Sequence, residues 1–314
     1  MRDLATLRPS DHPPVTRRAI MILNPHAGRG RASKLARPLP DIARDMGWEV
    51  ELWETEHAGH EVELAARARD QGWPVVIAVG GDGTVHGVVN GMLATGLTDT
   101  VLAHVPIGTG NDFAKTVGLD KASHPERNLR AVLAGAVCHL DVGKVLGEYF
   151  VNGFGIGFAA EVVRNTLEFK RLRGFALYLA SVIRTFFAFR APPLAISAAE
   201  HCESGRLLMT EIAIGKTAGG GFRLTPQADP MDGLLDVFIV REVGTLTFIR
   251  CLHRVMLGTH TELPPVTIFQ TRRAEVTSLD GPLAVHLDGE LRFPGEARLV
   301  VEIEPARLAA LCAV

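Results

Sequence analysis

Three times before residue 113, an apolar run ends in a glycine-rich turn and gives way to helical spacing. Ala19-Ile20-Met21-Ile22-Leu23 runs into Asn24-Pro25-His26-Ala27-Gly28. Val75 to Val79 runs into Gly80-Gly81-Asp82-Gly83-Thr84. Val101 to Val105 runs into Pro106-Ile107-Gly108-Thr109-Gly110-Asn111-Asp112. A strand buried on both faces reads as a continuous apolar run, and strands alternating with helices imply a parallel sheet. This half is therefore expected to be a doubly wound α/β domain.

The remaining segments of this half fit the same pattern. Ala32 to Met46 and His60 to Gln71 read as helices, Trp48 to Glu54 as a strand, and Val85, Val88, Val89, Met92 and Leu93 recur at helical spacing. The pattern changes near Cys138. Strands are expected at Tyr149–Phe154, Leu194–Ala199, Arg206–Ile214, Leu234–Val240, Val266–Thr271, Ala274–Ser278, Leu283–Leu287 and Arg298–Ile303. Only Ala159–Phe189 and Leu246–Leu257 read as helices there. Such spacing predicts an antiparallel β-sandwich. The expected division is a flexible tail over 1–14, the α/β domain over 15–139 and the sandwich over 140–304. A short helix over 305–314 is expected to pack back on the first domain.

Bulk composition excludes several classes. Lys and Arg number 33 against 35 Asp and Glu, so no global basic character points to nucleic acid. The four cysteines form no CxxC pair, which offers neither zinc spacing nor a redox motif and fits reduced thiols in the cytosol. Met1–Pro14 has no apolar h-region, and no window reaches the length of a transmembrane helix. A cytoplasmic protein is expected, with any membrane contact peripheral and on the inner face.

Glycine, 32 of 314 residues, concentrates where apolar runs end. Without a Cβ the backbone can turn sharply and come close to a ligand, and the following helix N-terminus offers free N–H groups to phosphate. Each turn alone could be an ordinary β-to-α connection. Three on one sheet edge converge on one crevice and indicate a nucleotide or phosphate site. Neither standard fingerprint is present. Gly215-Lys216-Thr217 lacks the earlier glycine of a Walker A loop, because position 210 is Thr, and Gly153-Phe154-Gly155-Ile156-Gly157 lacks GxGxxG spacing.

Asn24-Pro25-x-x-Gly28, Gly80-Gly81-Asp82-Gly83-Thr84 and Gly108-Thr109-Gly110-Asn111-Asp112-Phe113-Ala114 resemble, in order and spacing, three motifs of the diacylglycerol kinase catalytic family. That family includes bacterial soluble lipid kinases and the sphingosine and ceramide kinases. Gly219-Gly220-Gly221-Phe222, Asp232-Gly233-Leu234-Leu235-Asp236-Val237 and Leu287-Asp288-Gly289-Glu290 resemble further signatures. GGDGT alone is shared with NAD kinases and 6-phosphofructokinases. The other motifs are more specific.

The resemblance implies an ATP- and Mg²⁺-dependent lipid kinase with diacylglycerol or a related lipid as acceptor. It implies that Asn24, Pro25, His26, Ala27, Gly28, Gly80, Gly81, Asp82, Gly83, Thr84, Val85, His86, Thr109, Asn111 and Asp112 line the nucleotide. Thr55 matches a family threonine there, with a solvent-facing strand end as the alternative. Glu290 matches the family's proton acceptor, and Asp82 competes for that role. Asp112 and Asp141 match acidic positions around Mg²⁺. Asp229, Asp232 and Leu234 match a separate structural Mg²⁺ site, whose alternative is an ion-free turn. Ala159-Ala160 departs from the family's Asp-Ala, which bears on the acceptor side.

Phe169 to Arg190 is basic and rich in large apolar groups. It suits an anionic bilayer or, alternatively, a helix covering the sandwich core. The competing functions are a soluble small-molecule kinase such as an NAD kinase, and a non-catalytic nucleotide- or lipid-binding protein. A lipid substrate is the expected partner, nucleic acid is not, and a homodimer is left open.

Overall fold

A computed structural model describes residues 16–96, 98–119, 124–169, 172, 174–199, 201–282 and 284–313. The expected tail over 1–14, and Lys170, Arg171 and Arg173 of the basic stretch, lie outside the described residues. The chain forms two compact units. One ends at Leu140 and takes in the last residues from Ala306, and the other is Asp141–Pro305.

The first unit runs β1 (Arg18–Leu23), the short turns α1 (Ala27–Gly30) and α2 (Ala32–Leu35), α3 (Leu39–Asp45), β2 (Glu49–Glu54), α4 (His60–Asp70), β3 (Val75–Gly80), α5 (Asp82–Leu93), β4 (Val101–Pro106), α6 (Asp112–Thr116) and α7 (Pro125–Leu133). The strand order is β4-β3-β1-β2, all parallel. Every residue of β3 and β4 is buried, as their unbroken apolar runs require. The order reverses between β1 and β3. With right-handed crossovers, α3 then covers one face and α4 and α5 the other. The sheet is doubly wound, and its switch point lies between the ends of β1 and β3.

β5 (Ala136–Val145) leads into the second unit. There follow β6 (Glu148–Phe150), β7 (Gly153–Gly157), α8 (Phe158–Thr166), α9 (Gly174–Ala188), β8 (Pro193–Ala198), β9 (His201–Ala213), β10 (Leu235–Arg241), α10 (Thr245–Leu257), β11 (Val266–Thr271), β12 (Arg273–Ser278), β13 (Val285–Leu287), β14 (Glu290–Arg292) and β15 (Arg298–Cys312). These strands pair antiparallel. Long β9 serves two sheets, because its first half pairs β8 and its second half pairs β7 and β10. The inner faces bury Phe154, Ile156, Ile196, Ile212, Val237, Ile239, Val276, Leu287 and Val301 in one core. On β10, Val237 and Ile239 face that core. Phe238 and Val240, one residue out of phase, join a second cluster with Phe158, Val182, Phe248 and Val255 from α8, α9 and α10.

Several expected elements differ: Ala32–Met46 holds α2 and α3 rather than one helix, and Tyr149–Phe154 is divided between β6 and β7. Residues 305–313 do not form the expected helix, and Val314 lies outside the described residues. Arg298–Cys312 is one strand, whose end adds parallel to β4 at Ala310↔Leu102. Leu308 to Ala313 is short, apolar and buried on both faces, so periodicity cannot separate helix from strand. The bare edge of β4 decides, because its backbone groups need partners. The single helix expected over Ala159–Phe189 is two helices, α8 and α9, and Gly174 at the start of α9 has φ +54°.

Candidate functional site

β1, β3 and β4 are parallel, so their following loops leave the same sheet edge. Backbone bonds tie these strand ends together. Asn24 N donates to Val79 O at 3.1 Å, Ile107 N to Gly80 O at 2.7 Å, and Thr55 N to Leu23 O at 2.9 Å. The side chains then lock loop to loop. Asn24 Nδ2 donates to Thr84 Oγ1 (3.3 Å), while Asn24 Oδ1 accepts from His26 N (3.0 Å). Phe113 N, in α6, donates to Asp82 Oδ1 at 3.2 Å. Asn111 holds a left-handed conformation (φ +51°) and closes its own loop through Gly108 N and Gly108 O, at 2.8 and 2.9 Å.

The second and third loops touch backbone to backbone. A Cβ on Gly81 would lie 3.0 Å from Gly108 Cα, and one on Gly108 would collide with Gly81. Gly28 lies against the Ile107 carbonyl with φ +59°. So Asn24 to Gly28, Thr55, Gly80 to His86, Thr109, Asn111 and Asp112 all sit on one edge of one unit. Thr55 is buried rather than solvent-facing. The three-turn helix α5 begins at this edge, directed at the switch point. Its first N–H groups and dipole suit an anion. Asp112 is paired with Lys115 at 2.7 Å.

Beneath the edge lies a histidine that the motif reading did not single out. His104 of β4 is buried, with Nε2 3.3 Å from Gly80 O and, among the described residues, no partner for Nδ1. Burial pulls its pKa down to about 4 from 6.5, against the raising effect of the Gly80 bond. Between these values the unfolded chain takes up a proton that the folded chain refuses. Stability from this group is therefore complete above pH 6.5 and lost as pH falls toward 4, by about 3 kcal/mol. Urea titrations of His104→Leu should show a flatter pH dependence over that window than the parent. Equal slopes would contradict it.

In the second unit Asp141 joins the turn carrying Asp229, Asp232 and Leu234. Asp141 N donates to Pro230 O (2.8 Å), and its Oδ2 accepts from Gly233 N (2.7 Å). Asp229 Oδ1 accepts from Met231 N, and Asp232 Oδ1 from Leu234 N, at 3.1 and 2.9 Å. Asp236 lies beside them and was not anticipated. Burial raises its pKa to about 6, a Gln270 hydrogen bond opposes this, and the charges of Asp232 and Asp229 add to it. Asp141 and Asp112 therefore lie in different units.

Glu290 opens β14 and is exposed. It follows a two-residue hairpin, Asp288-Gly289, with φ +50° and +89° and Leu287 paired to Glu290. Asp-Gly is the preferred sequence for this turn, since both positions need positive φ. Asp288 was not among the expected site residues. Its buried carboxylate takes N–H bonds from Val151, Asn152 and Gly153, the shortest at 2.8 Å, and pins the hairpin to the β6–β7 loop. Arg292 adds a two-pronged pair with Glu148, at 2.9 and 2.7 Å.

Comparison with known proteins covers both units. Residues 18–145 match the diacylglycerol kinase catalytic domain, and 153–312 match the YegS C-terminal NAD kinase beta sandwich-like domain. The "Diacylglycerol kinase" of Bacillus subtilis (strain 168) is 28% identical over 286 residues, 89% of this chain and 92% of that protein. The "Probable lipid kinase YegS-like" protein of Pseudomonas savastanoi pv. phaseolicola (strain 1448A / Race 6) is 34% identical over 284 residues, 87% of each chain. A crystal structure of a diacylglycerol kinase from Bacillus anthracis str. Sterne superposes with TM-score 0.69. It covers 95% of this chain and 98% of that one at 19% identity, which shows a shared fold. The interlocked loops, the α/β and sandwich pair and these matches agree, and the chain belongs to the diacylglycerol kinase family, phosphotransferases with an alcohol group as acceptor.

Proposed function

We propose that the protein transfers the γ-phosphoryl group of ATP to the hydroxyl of a lipid, with diacylglycerol or a close relative as acceptor. The observation that carries this is the interlocked three-loop edge at the switch point. The backbone N–H groups of Gly81 to Thr84 and the α5 dipole would face the phosphates, with Asn24 to Gly28, Thr55, Thr109 and Asn111 around them. Phosphoryl transfer asks mainly for positioning, charge neutralisation and a proton acceptor. Mg²⁺ supplies charge neutralisation when bound, and Asp82 and Asp112 offer the hard oxygen ligands it prefers at this edge. Glu290 takes the hydroxyl proton, and Asp82 is the competing base. Asp141, Asp229, Asp232 and the Leu234 carbonyl would offer a second, structural cation the oxygen ligands it prefers, because backbone hydrogen bonds gather them at one turn.

A lipid acceptor also accounts for α9 and α10. A ring stack between Phe186 and Phe248 at 3.7 Å joins them. Their outer faces expose Leu246 (84%), Phe187 (72%), Ile249 and Ile183. Residues 174–198 and 244–261 carry Arg184, Arg190, Arg250 and Arg254 and no Asp or Glu. Apolar side chains with basic neighbours suit peripheral contact with an anionic bilayer. Among the described residues, no helix is long and apolar enough to cross one.

The test is incubation with labelled ATP, Mg²⁺ and phosphatidylglycerol vesicles carrying diacylglycerol or other hydroxylated lipids. The product is identified by mass spectrometry, and vesicle-bound protein is measured by sedimentation. A phosphorylated lipid and salt-sensitive sedimentation are expected. Label appearing only in a soluble acceptor would overturn the lipid assignment. Absence of vesicle binding at low salt would overturn the membrane contact.

A further inference from the structure

β7 lies between β9 and β13. In this register Gly155 of β7 pairs with Glu211 on one side and His286 on the other. The three residues form one row across three strands. Ordinarily the middle residue's side chain would separate the outer two. Here it is glycine, and a Cβ at 155 would overlap both His286 Nε2 and Glu211 Oε2. Across the gap His286 Nε2 lies 3.5 Å from Glu211 Oε2, with both side chains buried. Glu211 is 2% exposed, and among the described residues its Oε2 makes no hydrogen bond, which leaves the 3.5 Å contact with His286. A lone carboxylate in a β-sandwich is costly to bury, so an imidazole N–H at ion-pair distance from it has a reason to be there.

The other imidazole nitrogen reaches the hairpin. His286 Nδ1 accepts from Gly289 N at 3.4 Å. A neutral imidazole that accepts at Nδ1 carries its proton on Nε2, the atom facing Glu211. The contacts thus run in one direction. An Nε2–H facing the Glu211 carboxylate favours the tautomer that presents a lone pair to Gly289, and Gly289 is followed by Glu290.

We propose that Glu211 and His286 are positioning residues for Glu290, acting through the Gly289 backbone across the gap left by Gly155. This rests on the reading of Glu290 as proton acceptor. Asp288 anchors one side of the turn through Val151, Asn152 and Gly153, and His286 fixes the other. The glycine run 153–157, which fails as a dinucleotide fingerprint, here makes room for a buried carboxylate–imidazole pair.

The test uses the full chain with ATP and diacylglycerol vesicles. Glu211→Leu keeps the volume but removes the acceptor. A small displacement of a reacting group can cost about a hundredfold, so kcat should fall about tenfold to a hundredfold, with KM for ATP within about twofold. Glu211→Gln keeps an acceptor oxygen and should restore most of kcat. His286→Gln keeps a donor toward Glu211, but its amide oxygen lies one bond further from Cβ than Nδ1 and does not replace it as the acceptor for Gly289 N, so this variant should fall like Glu211→Leu. It serves if Glu211→Leu does not fold. In ¹⁵N NMR, His286 should show a single Nε2–H tautomer that becomes mixed in Glu211→Leu.

If Glu290→Gln is inactive while Glu211→Leu and His286→Gln keep parental kcat, the positioning role is overturned. If Glu290→Gln is fully active, the base assignment fails instead. The tautomer measurement then still decides whether the pair holds the turn, and a mixed tautomer in the parent would overturn it.

Discussion

Glu290→Gln should lower kcat by about 10²–10⁴-fold, the usual range for removing a general base, with an unchanged thermal transition. The structure makes the second half of that expectation specific. Glu290 is exposed, and the hairpin before it is held by Asp288, Gly289 and the Arg292–Glu148 pair rather than by Glu290. Asp82→Asn is the necessary companion. Asp82 Oδ1 accepts from Phe113 N, and an asparagine oxygen can do the same. The loops should therefore stay joined while the charge at the nucleotide edge is lost. If Asp82 is the base, Asp82→Asn falls by the larger factor and Glu290→Gln keeps most of its activity. If Glu290 is the base, Asp82→Asn raises KM for MgATP as well as lowering kcat. Full activity in both variants would defeat the mechanism.

The parts of the molecule legible from sequence were those whose cause is local. β3 and β4 announce themselves because both faces are buried and each run stops at glycine. The same runs locate the loop residues, since parallel strands must present their ends on one edge. What escaped depends on partners distant in sequence. The segment 305–314 has a composition that fits either helix or strand, and only the exposed edge of β4, about 200 residues earlier, selects the strand. Asp288 stood in a recognised motif, yet its bonds run to residues 151–153, which no spacing rule connects. Glu211 and His286 become neighbours only through the register of β7 between β9 and β13. Asp236 is perturbed because it is buried beside Asp232 and Asp229, whereas the local pattern Leu235-Asp236-Val237 reads simply as strand. Motif reading thus named residues of the three loops and missed those whose partners lie far away in sequence.

Gly108→Ala should damage nucleotide binding through a single added methyl. Gly108 has no positive φ to protect, so backbone conformation would tolerate alanine. The obstacle is space. The new Cβ would strike Gly81 Cα and lie 2.7 Å from Asn111 Oδ1, the atom that closes the third loop. Neither neighbour yields cheaply. One is backbone at the start of α5, and the other is fixed by two hydrogen bonds. Overpacking of this kind costs about 1–3 kcal/mol. If the loops separate to relieve it, the same energy appears as a weaker site, about tenfold to a hundredfold in the dissociation constant for MgATP. Gly30→Ala is the control. Gly30 has φ +80° and nothing within 4 Å of its ideal Cβ, so its cost is backbone strain alone, about 1 kcal/mol, and falls on stability. Calorimetric titration with MgATP separates the two. Gly108→Ala should lose affinity at a temperature where it is fully folded, and Gly30→Ala should bind like the parent. Equal affinity in both variants would mean that the contact between Gly81 and Gly108 does not shape the site.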